Sequence, residues 1–206
     1  LLPISMPVVC DPSTSLRIHP GNWLGPLELD RHFANPGRPL DLDLGCGKGR
    51  FLVARAAAHP ETRFLGLDRM LERIRKVDRK LVRRQLHNVR LLRVEGYYAV
   101  TYLLPAASVR TCFCLFPDPW PKKRHHHHRL FSPPFVDALH RTLQPGGVLH
   151  LATDHQPYFE EIYALLSSDP RFAPEPVFIP RPAERTDFEL LYLGRKPIGR
   201  CSFRKR

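Results

Sequence analysis

No apolar run in this 206-residue chain approaches the roughly 20 residues that a membrane-spanning helix needs. A helical membrane protein is therefore not expected. Cysteine is sparse: five residues, an odd number, with no Cys-x-x-Cys pair. Reduced thiols in a cytoplasmic protein are the economical reading, and a disulfide framework is not. The first ten residues carry neither a basic leader nor a long apolar stretch, so they do not read as a signal peptide. There is no initiator Met, as if the first residues were missing or processed. Internal repeats are absent. Acidic residues are also in short supply, 20 against 32 Lys and Arg, giving a net charge of +12 and a pI near 10.0. Such an excess favours a polyanionic partner such as nucleic acid, or else reflects an Arg- and Pro-rich proteome. The length fits one domain with a proper core.

What is present is an alternation. Residues 1–39 are rich in Pro and turn formers and read as an N-terminal arm laid on the domain, with a short helix near 27–33. From residue 40 to 206, strand-like and helix-like segments take turns. Leu40–Leu44 is a strand, then comes a glycine-rich turn and a helix over Arg50–Ala58. Residues 64–67 form a second strand ending at Asp68, and 71–86 carry apolar residues near helical spacing. Strands follow at 89–94, 110–116 and 148–153, with helices at 135–143 and 158–166. The stretches 188–193 and 198–203 look β-like and suggest a closing hairpin. The pattern implies an α/β fold: a Rossmann-like open, mostly parallel sheet of about seven strands, helices on both faces, and a C-terminal antiparallel hairpin. In such sheets ligands bind beyond the carboxyl ends of the strands. The residues to read are therefore 43–49, 68, 95, 117–124 and 154.

Asp43-x-Gly45-x-Gly47-x-Gly49 stands where strand turns to helix. Glycine there lets the backbone take positive φ and approach a ligand. The loop alone leaves S-adenosylmethionine and a dinucleotide both open. Two features lean to the former. Arg50 occupies the place of the third small residue of the dinucleotide fingerprint, and Asp41 and Asp43 precede the loop. Carboxylates repel a pyrophosphate but can pair with an α-ammonium group. Asp68, about twenty residues past the glycines, suits two ribose hydroxyls or a helix N-cap, and both can hold at once. Glu95 is placed to accept from an adenine amino group, or is a solvated loop acid.

The strand at 110–116 runs into Phe116-Pro117-Asp118-Pro119-Trp120-Pro121-Lys122-Lys123-Arg124-His125-His126. Three prolines restrict the backbone around an acid, a stacking surface and a cationic run. Pro133-Pro134-Phe135, Gly146-Gly147 through Ala152-Thr153-Asp154, and Thr186-Asp187-Phe188-Glu189 follow in order. Over residues 40–190 this set resembles the tRNA (guanine-N7)-methyltransferases. The resemblance implies an enzyme using S-adenosylmethionine to methylate N7 of a guanine in the tRNA variable loop. It implies cofactor contacts from Asp43, Gly45, Gly47, Gly49, Asp68, Glu95 and Asp118, and substrate contacts from Lys122, Asp154, Thr186 and Glu189, with Asp118 the catalytic acid. The chain departs from the family at three places. The family often has Glu at position 43, Asp-Ala in place of Glu95-Gly96, and a Gly-His-x-Val-Trp-Asp ending where this tail runs Lys196-Pro197-Ile198-Gly199-Arg200.

Guanine N7 carries an in-plane lone pair and no proton, so methylation there calls for alignment and charge stabilisation, not a general base. Lys122, Lys123 and Arg124 suit phosphates, and the cationic face of the helix at 71–86 is either a phosphate contact or a solvated surface. His125 to His128 are successive residues that rarely converge on one centre, so no metal is expected. The tetrapeptide Asp118-Pro119-Trp120-Pro121 has the wrong order for an adenine amino-group methyltransferase. Monomer and homodimer are equally compatible with the sequence.

Overall fold

The computed structural model describes residues 15–206, so the reading of the first ten residues lies outside the described part. Seven strands form one sheet in the order β3-β2-β1-β4-β5-β7-β6. β1 (Leu40–Leu44), β2 (Arg63–Asp68), β3 (Val89–Arg93), β4 (Val109–Leu115) and β5 (Leu143–Thr153) pair in parallel. β6 (Phe172–Pro174) and β7 (Gly199–Lys205) close the sheet antiparallel, β7 lying between β5 and β6. The expected Rossmann-like sheet with antiparallel C-terminal strands is therefore observed. β1 and β2 are buried along their whole length, as strands covered by helices on both faces must be.

Helices α1 (Arg50–Ala58) and α2 (Leu71–Arg83) cover one face, where Leu52, Phe64, Ile74, Val77 and Leu81 pack together. A short α3 (Gly96–Tyr98) continues into a π-helical turn at Ala99–Leu103. With α4 (Pro133–Thr142) and α5 (Gln156–Ser167) it builds the larger cluster around Leu42, Leu103, Phe135, Leu139 and Tyr158. Residues 15–39 run along the domain: Leu91 donates its N–H to Leu16 and accepts from Ile18, while Leu27 donates to the Leu103 carbonyl. The helix expected near 27–33 is a single 3-10 turn, Leu29–His32. Among the described residues no helix is long and apolar enough to cross a membrane.

One local reading is corrected. Residues 188–193 are not a strand but belong mostly to α6 (Asp187–Tyr192), and the antiparallel partners of β7 are β5 and the short β6. Thr186 decides this locally, since its hydroxyl accepts from the Glu189 N–H at 3.0 Å and caps a helix. The apolar residues that looked β-like there include Leu190, Leu191 and Leu193, which are exposed.

Candidate active site

Strand order reverses between β1 and β4, and a cavity of about 410 Å³ opens at their carboxyl ends. Gly45, Asp68, Glu95, Phe116, Asp118 and Trp120 are among its walls. This is the crevice where an open α/β sheet places its ligand.

The wall from β1 to β3 is made of backbone and buried acid. Gly45 leaves β1 at φ 89°, with its N–H and that of Cys46 given to the Leu67 carbonyl at 3.0 and 2.7 Å. A side chain at Gly45 would meet no atom within 4 Å, so the backbone there faces open space. Gly49 starts α1 at φ 74°, and a Cβ there would lie 2.6 Å from Val77, so glycine is what lets α1 and α2 approach. Asp43 is 4% exposed and its Oδ2 has no hydrogen-bond partner. Burial, reinforced by the charge of Asp68, pushes its carboxyl up to about 7. Asp41, the other acid before the loop, is committed elsewhere: Arg110 holds it with two bonds of 2.9 Å. Only Asp43 is left for a ligand cation.

Asp68 is buried and clamps two elements at once. Its Oδ2 accepts from the Gly47 N–H at 3.1 Å and faces Arg73 at 3.4 Å; its Oδ1 accepts from the Met70 N–H at 2.8 Å. Asp68 thus lines the cavity but does not cap α2: Met70 is the N-cap residue, and Asp68 holds its N–H just ahead of the helix. Glu95 is exposed and caps α3, accepting from the Tyr97 and Tyr98 N–H groups at 2.9 Å each. An amino group from a ligand would share these oxygens with the cap.

The opposite wall is the loop after β4. Phe116 extends the β4–β5 ladder by donating to the Ala152 carbonyl at 2.7 Å, yet it sits at φ 60°, and Trp120 sits at φ 43°. Two non-glycine residues at positive φ flank Asp118, a cost borne where the surroundings over-determine the backbone. Part of that hold is Arg129. Its Nε donates to the Pro119 carbonyl at 2.8 Å, its Nη1 pairs with Glu161, and its guanidinium lies 4.8 Å over the buried Tyr158 ring. Asp118 itself is open, its side chain 73% exposed with Arg69 at 4.0 Å. Lys122, Lys123 and Arg124 are exposed beside it. His125 to His128 form most of a 3-10 turn whose imidazoles gather on Trp120, His128 at 4.9 Å and His125 at 5.9 Å between ring centres. Packing in this stack and the neighbouring His127 and His125 hold His128 below the ordinary histidine range. Among the described residues no group of three or more His, Cys, Asp or Glu could hold a metal ion.

The C-terminal acids are paired by the tail that departs from the family pattern. Lys196 holds Asp154 at 3.2 Å and Arg200 holds Glu189 at 2.5 Å. Glu189 is 3% exposed, with Arg185 at 4.0 Å and its Oε2 unpartnered. Thr186 spends its hydroxyl on the helix cap. Phe188 joins this group to the β4 loop, its ring 4.9 Å from Phe116.

A family model described as putative methyltransferase matches residues 37–186. A tRNA (guanine-N(7)-)-methyltransferase of Leifsonia xyli is 39% identical over 170 residues, 80% of this chain and 74% of that protein. The chain belongs to this methyltransferase family. A similarly named protein of Alkalilimnicola ehrlichii is 39% identical over 145 residues, 70% of this chain. The chain spans 61% of that relative's length. Among solved structures, an S-adenosylmethionine-dependent methyltransferase of Aquifex aeolicus superposes with a TM-score of 0.58 at 16% identity, covering 82% of each chain. A putative methyltransferase of Streptococcus mutans, solved with S-adenosylhomocysteine, gives 0.55 at 13% identity, over 82% of this chain and 89% of that one. These two share the fold.

Of the residues singled out from sequence in this family member, Gly45, Asp68, Glu95 and Asp118 line one cavity. Asp43, two residues before Gly45 on β1, is not among its lining residues. Thr186 and Glu189 form a separate cluster reached through Phe188. Sequence reasoning missed Arg129, Lys196 and Arg200 as partners. Nothing local distinguishes Arg129 from the other cations after Trp120; only the fold carries it under the Pro119 carbonyl.

Proposed function

We propose that this chain transfers a methyl group from S-adenosylmethionine to N7 of a guanine in tRNA, in the variable loop, in the cytoplasm. One observation carries the reading: Gly45 of the glycine loop, the buried Asp68 and Asp118 of the strained aromatic loop line one cavity, and the unpartnered Asp43 stands two residues before Gly45. S-adenosylmethionine, when bound, supplies an electrophilic methyl group on a sulfonium. The orphaned Oδ2 of Asp43 and the open backbone at Gly45 fit its cationic amino-acid end. Asp68 and Glu95 fit its nucleoside end, each keeping lone pairs beyond those already used within the fold.

The rest is done by the β4 wall. Asp118 stands free to face a guanine ring, which becomes cationic as N7 is methylated, and its carboxylate stabilises that developing charge. No group needs to remove a proton, which suits a site with no buried histidine beside Asp118. Trp120 offers a stacking surface, and Lys122 to Arg124 hold phosphates and so fix the base in register. Glu189, with one free buried oxygen, and Asp154 accept from the Watson–Crick edge. Lys196 and Arg200 orient these two acids.

The test is methylation of unmodified tRNA with labelled S-adenosylmethionine, followed by borohydride–aniline cleavage. Cleavage at a variable-loop guanine is expected. Cofactor binding without such cleavage overturns the substrate; no rise in melting temperature with S-adenosylmethionine overturns the cofactor.

A further inference from the structure

Helix α2 carries a surface unlike the rest of the molecule. Every exposed position between 72 and 84 is charged, and all but Glu72 are cationic. Its apolar residues Ile74, Val77 and Leu81 turn inward. Asp78, the only other acid of the helix, also turns inward, where it accepts from the Leu16 N–H at 2.7 Å and the Ser15 hydroxyl at 2.8 Å. Some of the cations are used. Arg73 faces Asp68 at 3.4 Å, Lys76 holds Glu72 at 2.6 Å, and Lys80 donates to the Lys48 carbonyl of the glycine loop at 2.8 Å. Arg75, Arg79 and Arg83 have no partner among the described residues.

Several exposed arginines elsewhere are matched, Arg31 with Glu28, Arg171 with Asp137 and Asp169, Arg204 with Glu175, whereas Arg50 and Arg195 stand singly without a partner among the described residues. The α2 row differs in that three unmatched arginines share one helix face. Residues 75, 79 and 83 are four apart, so they form one row along the helix with about 6 Å of rise between neighbours. Like charges at that spacing oppose helix formation, a cost an anionic ligand removes. The step is comparable to that between successive phosphates of a nucleic-acid strand. The helix that carries the row also begins at the cavity, which Arg69 and Arg73, at the head of α2, line. No exposed apolar residue interrupts the row, unlike a helix that inserts into lipid.

We propose that Arg75, Arg79 and Arg83 form a phosphate track that holds the RNA backbone leading away from the methylated guanine. The track rests on the methyltransferase reading above and adds a second, remote contact to it. It supplies affinity and orientation without reading sequence.

The experiment compares the wild type with Arg75→Gln/Arg79→Gln/Arg83→Gln and with a control, Arg204→Gln/Arg206→Gln, at the β7–β6 end of the sheet, away from α2. Binding of unmodified tRNA is measured between 50 and 200 mM salt, beside methylation kinetics and cofactor affinity. The track predicts that the triple variant lowers the log–log salt slope by about 3, roughly one per lost phosphate contact. KM for tRNA rises at least tenfold while kcat at saturation and S-adenosylmethionine affinity stay unchanged, and the control changes little. An unchanged slope and KM overturn the track even if N7 methylation is robust. A lowered slope in a protein that methylates no guanine keeps the track and overturns the methylation reading. Binding of phosphatidylserine vesicles through these arginines, with tRNA binding unaffected, overturns the track in favour of a membrane surface.

Discussion

The two walls of the cavity are built in opposite ways. The wall from β1 to β3 is part of the core: Asp43 and Asp68 are almost wholly buried, and the glycine loop is tied to β2 by backbone bonds. The wall after β4 is an exposed, proline-braced loop with Asp118 in solvent, strapped from behind by Arg129. The difference teaches where function and stability are coupled. A buried charge changes the folding equilibrium when it is altered, whereas an open one on a braced loop changes chemistry alone.

The widest separation is expected at Asp118. Asp118→Asn should lower kcat by about a hundred- to a thousandfold, the range for a lost electrostatic partner of a transition state. Its melting temperature and S-adenosylmethionine affinity should match the wild type. A drop in melting temperature would show that this wall, too, is structural.

Asp43 should give the converse. Losing a charge-assisted partner weakens S-adenosylmethionine binding by about ten- to a hundredfold, yet Asp43→Asn should stabilise the free protein. The sign follows from the raised carboxyl, about 7 in the fold against about 4 in an unfolded chain. Between those values the native state holds the extra proton, so stability falls as pH rises through that window and the loss is complete above it. The gain from Asp43→Asn is therefore close to nil at pH 4 and greatest above pH 7, at most roughly 4 kcal/mol. Urea titrations at both pH values check it, and equal gains at the two would dismiss the buried charge as cause.

Gly49→Ala probes the same wall sterically. The added methyl meets Val77 on a backbone at positive φ, and a loss of about 1–3 kcal/mol is expected from overpacking and strain. A neutral outcome in the same titration would mean that α1 and α2 separate easily. The smallest effect belongs to Arg129→Lys. A lysine keeps the charge but cannot bridge the Pro119 carbonyl and Glu161 with one planar fork. A loosened Asp118 should cost about tenfold or less in kcat, with cofactor affinity intact. Equal losses in both would make Arg129 a fold residue instead.

The parallel sheet was legible because buried strands and amphipathic helices have different periods, and α2 in particular keeps Ile74, Val77 and Leu81 on one side. The glycine loop and the Phe116–His126 segment were legible because turns and prolines write local constraints directly into sequence. Residues 188–193 misread because a short exposed helix with many apolar residues resembles a strand until its Thr186 cap is seen. The partners of Asp41, Asp154 and Glu189 were invisible, since Arg110, Lys196 and Arg200 reach them across 69, 42 and 11 residues of chain.

By itself the sequence determined the fold class, the two motifs and the kinds of chemistry that each can hold. Local backbone geometry and residue type suffice for that. Tertiary structure alone decided which acids are free. It spent Asp41 on Arg110, left an oxygen of Asp43 and of Glu189 unpartnered, and turned Asp78 inward while Arg75, Arg79 and Arg83 stayed open. The reason is physical: whether a charge is available depends on what the fold brings within a few ångströms of it, and no local pattern encodes that distance.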